Sequence, residues 1–185
     1  MNTVVTSRED ILQHSRQLIQ RQGWGVVSIR TVAQACGVSV GSIYNYFGSK
    51  AELVGAVVES VWQEIFQLPQ GTEGFADTAA CVSWLYGRME YGSRAYPGFF
   101  TLHALRFTGD EKQDGRRRMQ RAWQQLLDAL CAVLRQDPRV RPGAFDSRFT
   151  PERFADVLFS LMLSAMLRQD FDYAPALEII RRTLY

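Results

Sequence analysis

The chain has 185 residues, 46% of them hydrophobic, which is enough to bury a substantial core and excludes a wholly disordered protein. Its 21 basic residues nearly balance 19 acidic ones, so overall charge points to neither a nucleic acid nor a membrane surface. Three widely spaced cysteines, Cys36, Cys81 and Cys131, make no disulfide framework, and the opening "MNTVVTSRED" lacks a signal peptide's apolar core, so a reducing cytoplasm is the expected setting.

The distribution of charge says more. Residues 1–50 hold Arg8, Arg16, Arg21, Arg30 and Lys50 against Glu9 and Asp10, a balance of +3 that leaves −1 for the remainder. In chain order, Ile11, Leu12, Ser15, Leu18 and Ile19 recur at helical spacing between Ser7, a suitable N-cap, and Gly23, a suitable stop. Ser28 can cap a short helix with Ile29, Val32, Ala33 and Cys36 on one face, ended by Gly37. Ser39 can cap a second carrying Ile43, Tyr44, Tyr46 and Phe47, ended by Gly48, and Ser49 opens a long helix through "KAELVGAVVESVWQEIFQ". "LPQGTEG" is the clearest break in composition. Beyond it, helical segments are predicted near 75–94, 97–108, 112–136, 151–169 and 175–184, with Pro151 and Pro175 at first helical positions. No alternating strand pattern competes, so the fold is predicted to be all-α. The longest apolar run, "VLFSLMLSAML", falls short of the roughly 18 residues of a membrane span, and no membrane partner is expected.

Two short helices joined by "CGVS" and packed on a longer preceding helix make a helix-turn-helix. Ala33 is small where the two helices approach, Gly37 suits the turn, and Val38 can fill the space between them. Ile43 and Phe47, four apart, can point inward together. That leaves Val40, Gly41, Ser42, Tyr44, Asn45 and Tyr46 on outer or flanking positions, where they can hydrogen-bond phosphates, touch thymine methyls or reach base edges. Lys50, one of two lysines in the chain, stands at the start of helix four, where a phosphate is favoured by the helix dipole.

The stretch "SIRTVAQACGVSVGSIYNYFGSKAELVGAVV" resembles the DNA-binding signature of the TetR family of ligand-responsive bacterial transcriptional repressors, over roughly residues 8–60. The resemblance implies phosphate contacts from Tyr44 and Lys50, assisted by Ser28 and Ser42. It places Arg30, Val40, Gly41, Asn45 and Tyr46 where relatives touch bases or adjacent backbone. Position 46 is often histidine in that family and is tyrosine here, and position 40 is apolar, so a relative's base preference does not carry over. The implied architecture is a DNA-binding domain at 1–50, a connecting fourth helix at about 50–68, and a helical effector-binding and dimerisation domain across 51–185.

A helix-turn-helix makes few base contacts, so specificity generally requires two copies on one duplex, with recognition helices about 34–36 Å apart. A homodimer on a palindromic operator in double-stranded DNA is therefore expected. The segment "ERFADVLFSLMLSAMLRQ" offers Phe154, Leu158, Leu161, Met162 and Ala165 on one face, and the last helix adds Leu177, Ile180 and Leu184. In the resembled family the last two long helices pair with those of a second subunit. The other expected task of this half is binding a small-molecule effector. "GFFTLHALRF" is the preferred wall, with Phe99, His103 and Phe107 recurring every four residues and Phe100 beside them. Trp62, Phe66, Trp84 and Tyr91 from the preceding segments, with Trp123, Met162 and Met166 further on, supply the other large side chains. An aromatic stripe at helical spacing also suits a plain core, and a regulator controlled by a protein partner or by abundance stands as the second reading. The arginines of "GRRRMQRAW" suit a solvated helix face. His14 and His103 are the only histidines; with no metal-ligand cluster, GxSxG or GxGxxG, neither an enzyme nor a metal or other cofactor is expected.

Overall fold

The computed structural model describes residues 6–67, 74–100 and 112–185, with side chains from residue 120 onward in the last stretch. All regular structure among the described residues is helical: α1 (Arg8–Gln22), a 3-10 turn (Trp24–Val26), α2 (Ile29–Ala35), α3 (Val40–Tyr44), α4 (Lys50–Ile65), α5 (Thr78–Ala95), α6 (Lys112–Gln136), α7 (Pro151–Arg168) and α8 (Ala174–Leu184). The predicted helix at 97–108 begins at Phe99 and Phe100, and residues 101–111 lie outside the described ones. No helix among the described residues is long and apolar enough to cross a membrane.

The chain forms two compact units: Met1–Glu64 with Arg94–Met119, and Ile65–Ser93 with Gln120–Tyr185. The first is thus larger than residues 1–50, for it takes in α4 as far as Glu64. Its helices start where short polar side chains can satisfy the free N–H groups of a first turn. Ser7 Oγ accepts from the Asp10 N–H while the Asp10 carboxylate accepts from the Ser7 N–H, at 3.1 and 3.0 Å. α1 ends at Gly23, whose φ of 80° few side chains tolerate. Ile11, Leu12 and Ile19 of α1 are buried, as are Ile29, Val32 and Ala33 of α2, and α2 packs against both α1 and α3.

In the second unit, α5 begins on a cluster of acceptors drawn from distant parts of the chain. Asp137, just after α6, accepts from the Thr78 N–H at 2.7 Å, from the Arg139 N–H at 2.9 Å and from the Tyr185 hydroxyl at 2.8 Å. Asp77 accepts from the Ala80 N–H at 2.8 Å and pairs with Arg139, whose guanidinium lies 4.1 Å from the centre of the Tyr185 ring. These bonds fix the start of α5 to the end of α6 and to Tyr185. α7 has Thr150 as its N-cap and Pro151 at its first position, while Pro175 takes the second position of α8, one place later than the sequence suggests.

Burial would push the Asp137 carboxyl up, but the hydrogen bonds it accepts from Thr78, Arg139 and Tyr185 outweigh that and hold it below the usual aspartate range. Burial and the bond to Asp137 push the Tyr185 hydroxyl up to about 12, and burial alone does the same to the Cys81 thiol. Because the folded-state value of Asp137 is depressed, its stabilisation is present above the unfolded value of about 3.9 and is lost as pH falls through the folded value. Asp137→Asn should therefore cost about 1–3 kcal/mol at neutral pH, with the gap to wild type narrowing as pH drops below about 4. Urea midpoints at pH 7 and pH 3 measure this, and equal gaps at both would exclude the carboxylate as the cause.

Candidate nucleic-acid interface

A five-residue helix such as α3 cannot hold its shape alone in water, so its geometry is imposed by packing. Ile43 and Phe47 supply the packing, both with 0% of their surface exposed. Gly37, at φ 67°, turns the chain between α2 and α3, and Ser39 Oγ caps α3 by accepting the Ser42 N–H at 3.0 Å. α3 is shorter than the sequence predicts. It ends at Tyr44, and Asn45 and Tyr46 continue as a turn that carries Phe47 into the core.

With Ile43 and Phe47 turned inward, the opposite side is open: Val40 is 40% exposed and Tyr44 50%, while Gly41 and Asn45 lie beside them on the surface. Arg30 on α2 is exposed as well. At the start of α4, Ser49 Oγ accepts the Glu52 N–H at 3.1 Å and the Glu52 carboxylate accepts the Gly48 N–H at 2.8 Å. The entry to the helix is therefore already capped, and the exposed Lys50 ammonium is the group left there to meet a phosphate.

Three of the residues assigned to DNA contact have other work in this structure. Ser28 forms a reciprocal cap with Thr31, accepting the Thr31 N–H at 3.1 Å while Thr31 Oγ1 accepts the Ser28 N–H at 3.0 Å. The Ser42 hydroxyl is bonded to that of Ser39 at 2.9 Å. The Tyr46 hydroxyl donates to the Thr6 carbonyl at 2.5 Å, which ties the segment before α1 to the turn that follows α3. Arg8 strengthens the same junction, with its guanidinium 5.2 Å from the centre of the Phe47 ring.

This helix-turn-helix has relatives. Residues 11–57 match the family model described as bacterial regulatory proteins, tetR family. The chain carries the DNA-binding domain of the TetR family. Its fold is also similar to those of solved structures. The reduced form of NemR from E. coli is similar at a TM-score of 0.67 and 23% identity, over 96% of this chain and 97% of that one. FadR from Bacillus subtilis, in complex with stearoyl-CoA, is similar at 0.64 and 14%, over 97% and 100%. Among curated proteins, the nucleoid occlusion factor SlmA of Actinobacillus pleuropneumoniae is 27% identical over 122 residues, 59% of this chain and 60% of its own length. SlmA of Haemophilus ducreyi is 31% identical over 99 residues, which span 51% of this chain and 48% of that protein.

The residues assigned to an effector wall divide between the two units of the chain. In the first, Trp62, Phe99 and Phe100 are buried, with the Trp62 ring tilted against Phe99 at 5.4 Å and edge-to-face with Phe100 at 5.7 Å, and Trp24 stacks on Phe99 at 5.3 Å. In the second, Phe66, Met162 and Met166 are buried, Trp84 meets the edge of Phe75, and Trp123 meets the edge of Phe159. Tyr91 is exposed beneath the Arg88 guanidinium. His103 and Phe107 lie outside the described residues.

The residues expected at a dimer face differ in their burial. Phe154, Leu158, Met162 and Ala165 of α7 and Ile180 and Leu184 of α8 are buried within this chain. A helix that is apolar all round does not show in its sequence which side turns inward. The open side of α7 carries Val157, 44% exposed, and Leu167, 46% exposed, with Leu161 half-buried between them. Leu177 on α8 is half-buried.

Sequence reasoning missed the contacts that brace α1. Arg16 pairs with Glu9 at 3.2 Å and with Glu64 near the end of α4 at 2.9 Å, Gln20 donates to the Tyr96 hydroxyl at 2.9 Å, and that hydroxyl donates to Glu64 at 2.9 Å. Tyr96 is wholly buried. Spacing along one helix carries no signal for a bond between residues 20 and 96, whereas the pattern Ser49-x-x-Glu52 was a readable cap. Tyr96→Phe should cost about 0.5–1.5 kcal/mol and speed amide exchange in the second half of α1 and the last turns of α4. Hydrogen exchange resolved by residue measures this; unchanged rates at those amides would mean that the hydroxyl does not brace α1.

Proposed function

We propose that the protein is a homodimeric repressor that holds a palindromic operator and is released from it by a small-molecule effector. It is a DNA-binding transcriptional regulator by family, and the finer reading rests chiefly on α3, whose buried side is filled by Ile43 and Phe47 while Val40, Tyr44 and Asn45 stand open. Two such helices on successive major grooves require a two-fold pair of chains. The exposed apolar side of α7, through Val157, Leu161 and Leu167, supports that pairing. In this reading Tyr44 and Lys50 anchor phosphates, Arg30 and Gly41 lie against the backbone or base edges, and Ser28 and Ser42 hold the helix ends in place.

Release by an effector requires only that the effector bind the detached state more tightly, and a coupling of about 1–3 kcal/mol changes operator affinity 5- to 150-fold. The bracing of α1 by Glu64 and Tyr96 supports α4 as the lever, since a shift at the end of α4 would be felt in α1 and, through α2, at α3. A second reading, control by a protein partner without an effector, is supported by the close packing of Trp62, Phe99 and Phe100, which suits a core.

The test begins with purified full-length protein and a pool of randomised duplexes, selected over several rounds. Enrichment of a two-fold symmetric motif supports the dimer and the operator; with folded protein, no enrichment at moderate salt after removal of any bound small molecule would overturn the reading. On the selected operator, Lys50→Ala should weaken binding to specific and scrambled duplexes alike and reduce the salt slope by about one per subunit. Anisotropy titrations at several salt concentrations measure this. A loss confined to the specific duplex would show Lys50 to be a base reader instead.

A further inference from the structure

The side of α3 that stays open carries a restricted chemistry. Val40 and Tyr44 are one turn apart on it, and Gly41 and Asn45 form the neighbouring row. From Val38 to Gly48 the chain has no arginine, lysine, histidine, glutamine, aspartate or glutamate. Guanine is read in the major groove chiefly by arginine or lysine on O6 and N7, and cytosine by a carboxylate on N4. α3 and its flanks therefore lack the usual readers of G·C pairs.

The hydroxyls that could serve any base are engaged. Ser39 Oγ caps the helix and is bonded to the Ser42 hydroxyl, and the Tyr46 hydroxyl is held by the Thr6 carbonyl. Two groups then remain besides the Tyr44 ring and its hydroxyl. The Asn45 amide is exposed, with no hydrogen bond to another described residue, and it offers the donor and acceptor that match adenine N7 and N6. The Val40 side chain is 40% exposed and has only methyl groups to present, for which the one complementary feature on a base edge is the thymine 5-methyl.

We propose that α3 is a reader of A·T base pairs, in which Val40 packs on a thymine 5-methyl and Asn45 takes an adenine edge. The proposal rests on the operator-binding reading above and specifies its substrate. Arg30, exposed on α2, falls outside it and leaves G·C pairs readable only beyond the ground covered by α3.

The experiment uses the full chain and its selected operator, with each thymine replaced in turn by deoxyuridine, which removes the methyl and leaves pairing intact. At one symmetry-related thymine the wild-type protein should lose about four-fold in affinity per substituted half-site, the worth of one buried methyl. Val40→Ala, which loses both γ-methyls and their reach, should bind thymine and deoxyuridine operators equally, whereas Val40→Thr, which keeps one γ-methyl, should retain part of the sensitivity. Asn45→Ala should lose discrimination at one adenine. Val40 and Asn45 are exposed, so both variants should show wild-type circular dichroism. A wild-type protein that binds its operator but ignores deoxyuridine everywhere, or a Val40→Ala variant as sensitive as wild type, overturns this inference and leaves the regulator standing. Failure to select any duplex overturns the operator reading itself.

Discussion

The arrangement of the first unit depends on the burial of Ile43 and Phe47. α3 has five residues, too few to sustain its own hydrogen bonds in water, so its helical form is a product of what its inner side chains gain by leaving water. The same burial divides the segment into two sides. Once Ile43 is inward, Val40, Gly41, Tyr44 and Asn45 must face outward together, and no choice of rotamer alters that. The turn at Asn45 and Tyr46 then brings Phe47 inward, which places the Tyr46 hydroxyl against the Thr6 carbonyl and the Phe47 ring beside Arg8. The exposed face of α3 and the start of the chain's first helix are thus set by one packing event.

A second constraint works from the other end of α1. Arg16 and Gln20 reach Glu64 and Tyr96, so the helix on which α2 packs is tied to the last turns of α4 and to the chain just beyond α5. A partly buried arginine paired with carboxylates resists separation, because either partner left alone would be a poorly solvated charge. In the second unit Asp137 has the corresponding place: it substitutes for the missing carbonyl partner at the start of α5 and binds the Tyr185 hydroxyl. Both arrangements join segments far apart in sequence through groups that water cannot easily satisfy.

The legibility of this protein follows the range of its interactions. Ser7, Ser28, Ser39 and Ser49 read as helix starts from the sequence, and each accepts the N–H three residues on. Gly23 and Gly37 read as breaks, and both have positive φ. The inward pair Ile43 and Phe47 followed from spacing alone. Tyr46 did not, for its partner precedes it by forty residues, and nothing local distinguishes a tyrosine that faces DNA from one that bonds a carbonyl. The α7 face is ambiguous in the sequence for a different reason. With Phe154, Leu158, Val157, Leu161 and Leu167 all apolar, periodicity has no polar side to orient it, and only the burial of the first two settles which way the helix turns.

The tryptophans are shared evenly between the units. Trp24 and Trp62 belong to the first, where Trp24 stacks on Phe99 and Trp62 is buried beside Phe100; Trp84 and Trp123 belong to the second, each against the edge of a phenylalanine. Intrinsic fluorescence therefore reports on both halves of the molecule without a label. Removing one pair at a time leaves emission from a single unit, so the spectral shift on denaturation can be assigned to the DNA-binding half or to its neighbour, and the cooperativity of the whole chain can be read from whether the two traces coincide.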